Sequence, residues 1–474
     1  MKPWWAAVLF ASMLIITRYE GTRSSQNGID WGLQGLMENQ MLAWEAAHQE
    51  GAPLPAWLRS VLQLDQIPVS LEAHLSQIEN QTDPNQHSHL MVEWALVCHR
   101  LSLDGQGDAW QKRALDILAK TQPSPEENLI DSAIRSGVQG LELPEADRRA
   151  LVANLQHLPL SWWTLELARL QGVRPTMLPL KAEQVKINGL RDGAIHALLL
   201  SFFVRWALPV LLLALFWRSL RRLKKVQPLP ASSQRLFALW TLTPVLGLFS
   251  LAEIIRFGTF HFIGPLLAAL LPGTMWLVYW TRVWIGYLLS IARSLLTPTV
   301  LKFTLTRRMG TLRRAFGFSQ RDLMSESAWA LSLACVGLFT LIFHSINAGL
   351  IGAKWMAPPL DFLSRSLNYL GEAALPAHLA YGCFVAPLVE ELTYRGFLFT
   401  VFSRRWGAMG GALLSSALFA YAHSYSGWAS TITFVFGLLS CRIYRSTGRL
   451  ASCFIFHGLV NMMEIFMLHC LSGG

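Results

Sequence analysis

Glu390-Glu391-Leu392-Thr393-Tyr394-Arg395 interrupts a run that is otherwise apolar from Ala380 to Phe402. A carboxylate in hydrocarbon costs several kcal/mol, so two adjacent ones are hard to explain by packing alone. On a helix, Glu391 and Arg395 stand at i and i+4 and can pair. Glu390 is turned about 100° away and points elsewhere. One carboxylate is thereby neutralised, and the other is free for acid–base chemistry. The competing interpretation is a structural ion network that locks two helices together. Two later apolar runs also carry a histidine paired at i, i+4 with a second residue of interest. Phe419 and His423 close the run 408–423, and His457 and Asn461 lie within 450–468. Each pair shares one helix face. A lone membrane histidine is more often an interhelical hydrogen-bonder than a catalyst. Three successive runs that each carry such residues point to a site.

In order, these residues read Glu-Glu-x-x-x-Arg (Glu390, Glu391, Arg395), Phe-x-x-x-His (Phe419, His423) and His-x-x-x-Asn (His457, Asn461). That order resembles the three motifs of the CPBP (Abi) intramembrane proteases, which include the CAAX prenyl endopeptidases. The resemblance covers the C-terminal part of the chain closely and leaves the N-terminal region uncovered. It implies a peptide hydrolase acting on a membrane-associated protein or peptide, CAAX-like or other. In the favoured division of roles, Glu390 and His423 activate water, while His457 and Asn461 donate to the oxyanion. Glu391, Arg395 and Phe419 support them. No cofactor is required in that scheme. The alternative is zinc held by Glu390, His423 and His457, which would lower the pKa of a bound water and polarise a carbonyl. No Ser-His-Asp set and no His-Glu-x-x-His motif is present.

The rest of the chain must bring these residues together. It is 52% hydrophobic and 15% charged, with a mean hydropathy of +0.34, a composition that predicts a polytopic membrane protein. The 19 Trp suit membrane-interface anchoring. The net charge of +10 is uneven: residues 18–193 hold 22 acidic and 15 basic residues, and residues 194–474 hold 8 and 24. The basic surplus therefore lies in the membrane half, where it sets topology, and no nucleic-acid motif accompanies it.

The expected fold class is all-α: a membrane bundle of eight spans after an N-terminal signal anchor and a helical soluble domain. Residues 1–17 read as a signal sequence or anchor, with Lys2 before the apolar run Trp4–Ile16. Residues 18–193 read as a helical extracytoplasmic domain that could dock a partner. Helix starts are expected at Ser124-Pro125-Glu126-Glu127, at Leu143-Pro144-Glu145, and at Ser161 before Trp162. His87 and His89 are expected in a solvated loop rather than at a metal. Cys98 is the region's lone cysteine, so no disulfide forms within it.

Residues 194–326 hold the first spans and basic loops, and 327–474 the catalytic core. The spans are read at 197–217, 236–255, 261–281, 328–350, 380–402, 407–424, 428–441 and 450–470, with 283–292 as an interfacial helix. Arg205 interrupts the first span and either snorkels outward or faces the bundle. Basic segments at 218–225, 293–321, 404–405 and 442–449 all fall on one side, which the positive-inside rule makes cytoplasmic. Cys335, Cys383, Cys441, Cys453 and Cys470 read as core residues. The expected location is the bacterial inner membrane. Two competing functions are an idle relative acting as a binding or immunity protein, and a transporter with a buried ion relay.

Overall fold

The computed structural model describes residues 29–48, pieces between 54 and 76, 88–103, 108–121, 129–157, 162–172, 191–225 apart from 201, 317–351, 379–423 and 427–471, with isolated residues 11, 12 and 250. Every regular element among the described residues is helical. The expected spans 236–255 and 261–281, the interfacial helix 283–292 and the Ser124 capping box fall outside them, except for Ser250. The chain divides into two compact units, one built mainly of residues 28–202 and one of 203–345 with 361–468.

The first unit contains α1 (Ile29–Ala47), α2 (Ser88–Leu101), α3 (Asp108–Lys120), α4 (Leu129–Val138), α5 (Glu145–His157) and α6 (Trp162–Leu170). Trp44, Trp94, Ile117, Ile134, Leu151 and Trp162 form its buried core. The helices α5 and α6 start where the sequence predicts. The backbone N–H of Trp162 is taken by the Glu38 carboxylate on α1 at 2.8 Å, a long-range cap no local pattern announces. His89 lies in α2, not in a loop, because that helix already starts at Ser88. Behind the apolar core sits an ionic network around Glu45. Its Oε1 is 3.1 Å from Arg169, its Oε2 is 2.7 Å from Arg191, and Arg100 bridges on to the buried Glu166 at 3.5 Å.

In the second unit, residues 203 onward of α7 (Arg191–Lys224) pack with α8 (Glu326–Ile351), α9 (379–405), α10 (408–422), α11 (Gly427–Thr447) and α12 (Leu450–Leu471). The α9–α10 boundary is set by Gly407, whose φ of +73° suits a residue without a Cβ. Side-chain contacts give the direction of each helix. Glu391 meets Ser440 and Phe399 meets Tyr444, so α9 and α11 run parallel. Ser332 meets Ser452 and His344 meets Glu464, so α8 and α12 run parallel. Asn461 meets Gly382 while His457 meets Glu391, so α12 opposes α9. Gly337 meets Pro209 while Ser327 meets Arg222, so α7 opposes α8. The described basic segments 218–225, 404–405 and 442–449 thus gather at one end of the unit, where Arg449 also pairs with Asp322 at 3.3 Å.

Among the described residues, three helical stretches, Arg191–Lys224, Glu326–Ser345 and Leu450–Met467, are long and apolar enough to cross a membrane. The expected spans near 380–402, 407–424 and 428–441 coincide with helices that fall short of that standard. Of these, α9 carries Glu390, Glu391 and Arg395, so polarity at the site lowers its apolar character.

Candidate active site

Two widened, π-type turns flank the carboxylates on α9, at Tyr381–Val385 and Glu391–Phe399. The first has a legible cause. Pro387 has no N–H, so the carbonyl of Cys383 has no partner one turn ahead and the turn opens. The freed carbonyl faces α12, where a Cβ on Gly458 would lie 2.5 Å from it. The neighbouring Gly382 carbonyl accepts a 2.8 Å hydrogen bond from Nδ2 of Asn461. The opened turn therefore docks α9 closely onto α12 and brings Glu391 to His457.

Glu391 is wholly buried. Its Oε1 takes Nδ1 of His457 at 2.8 Å, and its Oε2 accepts from Ser440 Oγ at 2.8 Å. Arg395 Nη1 stands 3.1 Å from Oε1. That approach is too oblique for a hydrogen bond, and we read it as a charge–charge contact. The guanidinium instead lies over the Phe419 ring, 4.2 Å from its centroid, as a cation–π pair. Phe419 also lies 4.4 Å from the His423 ring, so it packs Arg395 and His423 in one step.

Glu390 projects the other way, and its side chain is 26% exposed. Its Oε2 faces Nε2 of His423 at 3.7 Å and Nε2 of His457 at 3.8 Å. That oxygen is buried and has no hydrogen-bond partner among the described residues. Both imidazoles are oriented from behind: Nδ1 of His423 lies 2.8 Å from the Phe419 carbonyl, and Nδ1 of His457 is held by Glu391. Each therefore presents Nε2 to the same carboxylate oxygen.

The structure brings together Glu390, Glu391, Arg395, Phe419, His423 and His457. Asn461 lies one turn beyond His457, with one amide N–H committed to Gly382. A carboxylate and two imidazoles are suitable donor types for zinc, and metal-bound histidines are commonly anchored through the other nitrogen. Among the described residues no three His, Cys, Asp or Glu side chains gather around a point where an ion could sit. Ser440 is the supporting residue the sequence analysis missed. Its signal is a small hydroxyl within the short apolar run 428–441.

Residues 372–463 match the family model for Rce1-like, type II CAAX prenyl endopeptidases. All the site residues named above lie inside that match. No curated protein and no solved structure matches the chain. The matched model describes a protease family, and the described residues include helices apolar and long enough to cross a membrane.

Proposed function

We propose that the chain is an intramembrane endopeptidase that hydrolyses a peptide bond of a membrane-associated, CAAX-like or other, substrate. The observation that carries this reading is the buried, unpartnered Oε2 of Glu390, faced by two imidazole nitrogens whose opposite sides are already tied. A carboxylate so placed can take a proton from water as that water attacks a carbonyl carbon. His423, held through Nδ1, orients the water with Glu390. The carbonyl electron pair moves to oxygen, and His457, as an imidazolium with its Nδ1–H on Glu391, donates its Nε2–H to that oxyanion together with the second N–H of Asn461. When the C–N bond breaks, the proton held by Glu390 passes to the leaving nitrogen. Glu391 fixes which nitrogen His457 offers to the reaction, and Arg395 and Ser440 fix Glu391. The membrane is the bacterial inner membrane, crossed several times, with the basic ends of the helices in the cytoplasm.

The test compares peptide termini in membranes containing the wild type and Glu390→Gln. We expect Glu390→Gln to fold, to bind substrate and to cleave nothing, and wild-type cleavage to survive thorough metal removal. Normal turnover by Glu390→Gln would overturn the assignment of the base. An idle relative would leave the two membranes identical. Activity that follows zinc occupancy would transfer the water-activating role to a metal.

A further inference from the structure

A second polar cluster lies in the second unit, outside the residues assigned to the reaction. Arg205 on α7 is 1% exposed, and His344 on α8 and Glu464 on α12 are buried. Nε2 of His344 lies 3.6 Å from Oε1 of Glu464. Arg205 directs Nε at the sulfur of Met467, a weak acceptor, and is near enough to act on Glu464 through its charge. Nη2 of Arg205 and Oε2 of Glu464 are both buried without a hydrogen-bond partner among the described residues. One is a donor and the other an acceptor. A small neutral group that both accepts and donates satisfies the two at once, and water is the simplest.

The place of this cluster on α12 matters. His457, Asn461 and Glu464 stand at i, i+4 and i+7, one face of the helix. Glu464 lies two turns, ~10 Å, from His457 along the axis. Arg205 sits in an opened turn before a proline, as Cys383 does ahead of Pro387: the π-type turn Phe203–Ala207 precedes Pro209. There too a glycine of the facing helix, Gly337, lets the backbones approach, since its Cβ would lie 2.6 Å from the Pro209 carbonyl. Hydrolysis consumes a water at every turnover, and hydrocarbon does not supply one.

We propose that Arg205, His344 and Glu464 form a second polar site that holds water in the core of the helical unit, and that the face of α12 carrying Glu464, Asn461 and His457 leads this water to Glu390. The supply half rests on the hydrolase reading; the hydrated site does not. Met467 touches Arg205 and is 1% exposed, so its sulfur reports on water at this place. The experiment is millisecond radiolysis of the full-length protein in lipid nanodiscs made in heavy-oxygen water, read by mass spectrometry at Met467.

Met41, with 0% exposure, is the reference for an equally buried thioether. We expect Met467 to gain heavy oxygen about fivefold faster than Met41, as a buried thioether beside water should. In the paired variant Arg205→Leu with Glu464→Leu, which removes both charges together, that excess should vanish and kcat should fall about tenfold with KM unchanged. Glu464→Gln keeps an acceptor and should retain both the excess and most of the turnover. Met467 labelled no faster than Met41 in the wild type overturns the hydrated site, whether or not the variants fold. Full kcat in the paired variant overturns the supply role. A wild type that cleaves nothing while Met467 labels rapidly refutes the hydrolase reading and leaves the hydrated site standing.

Discussion

Glu390 and Glu391 are neighbours in sequence and opposites in environment. Glu391 has no exposure and three partners, Arg395, Ser440 and His457. Glu390 is partly exposed, and one of its oxygens is unsatisfied. Their separation by about 100° of helix rotation was legible from sequence, as was the i, i+4 pair with Arg395. The bond from His457 was not, because it depends on how closely α12 approaches α9, and no local pattern encodes that distance. The consequence is that Glu391→Gln has two effects. It leaves Arg395 buried without a counter-charge, which should cost about 3–5 kcal/mol. It also releases Nδ1 of His457 from a carboxylate. We expect a lowered thermal midpoint and, in the protein that remains folded, reduced kcat. A variant with wild-type stability and turnover would show that Arg395 and His457 are held by something else.

At the scale of elements, proline and glycine determine where polar groups meet. Pro387 opens the turn ahead of the carboxylates, and Gly458 lets α12 receive the freed Cys383 carbonyl. The widened turn Tyr381–Val385 is the form that the missing N–H of Pro387 takes in α9. Gly458→Ala should push α12 away from α9, costing about 1–3 kcal/mol of stability through overpacking, and should lengthen the His457–Glu391 contact. Turnover and thermal midpoint should fall together; an unchanged pair of values would mean the helices part without consequence.

In the first unit the decisive element contact is Glu45 against α6, α2 and Arg191. Burial pushes the Glu45 carboxyl up, but the hydrogen bond from Arg191 and the charges of Arg169 and Arg100 outweigh it and hold it below its ordinary value. Glu166 goes the other way: burial pushes it up, and Arg100 and Arg169 do not fully compensate. The stabilisation from Glu45 is therefore complete above about pH 4, the ordinary glutamate range, and is lost as pH falls through its depressed value. That from Glu166 is complete below the ordinary range and is lost as pH rises through its raised value. Hydrogen-exchange protection of α1 and α6 in the full chain should fall on acidification below about pH 4. Glu45→Gln should lower that protection at neutral pH and flatten its acid limb. An acid limb unchanged by Glu45→Gln would assign the effect to other carboxylates.

At the scale of the whole molecule, charge and apolar runs told more than any single residue. The described basic segments do gather at one end of the second unit, as their spacing along the chain required. The second polar cluster was less visible. Arg205 stood out as an interruption with two possible directions, and the structure turns it inward. His344 and Glu464 did not stand out, because a lone ionisable residue in each of two distant runs acquires meaning only when the helices carrying them pack together. The proposed orientation of the molecule rests on the basic ends. An excess of Lys and Arg holds a loop on the cytoplasmic side. The end of α7 carries Arg218, Arg221, Arg222 and Lys224, with Lys225 just beyond it, whereas its start carries Arg191 beside Asp192. A reporter fused after Arg191 should therefore be active only as an exported enzyme, and one fused after Lys225 only as a cytoplasmic one. Exchanging Arg221, Arg222, Lys224 and Lys225 for Ser should weaken that preference, since it removes the charge that retains the loop. Cytoplasmic activity of the reporter after Arg191 in the unaltered protein would invert the arrangement and place residues 18–193 on the cytoplasmic side.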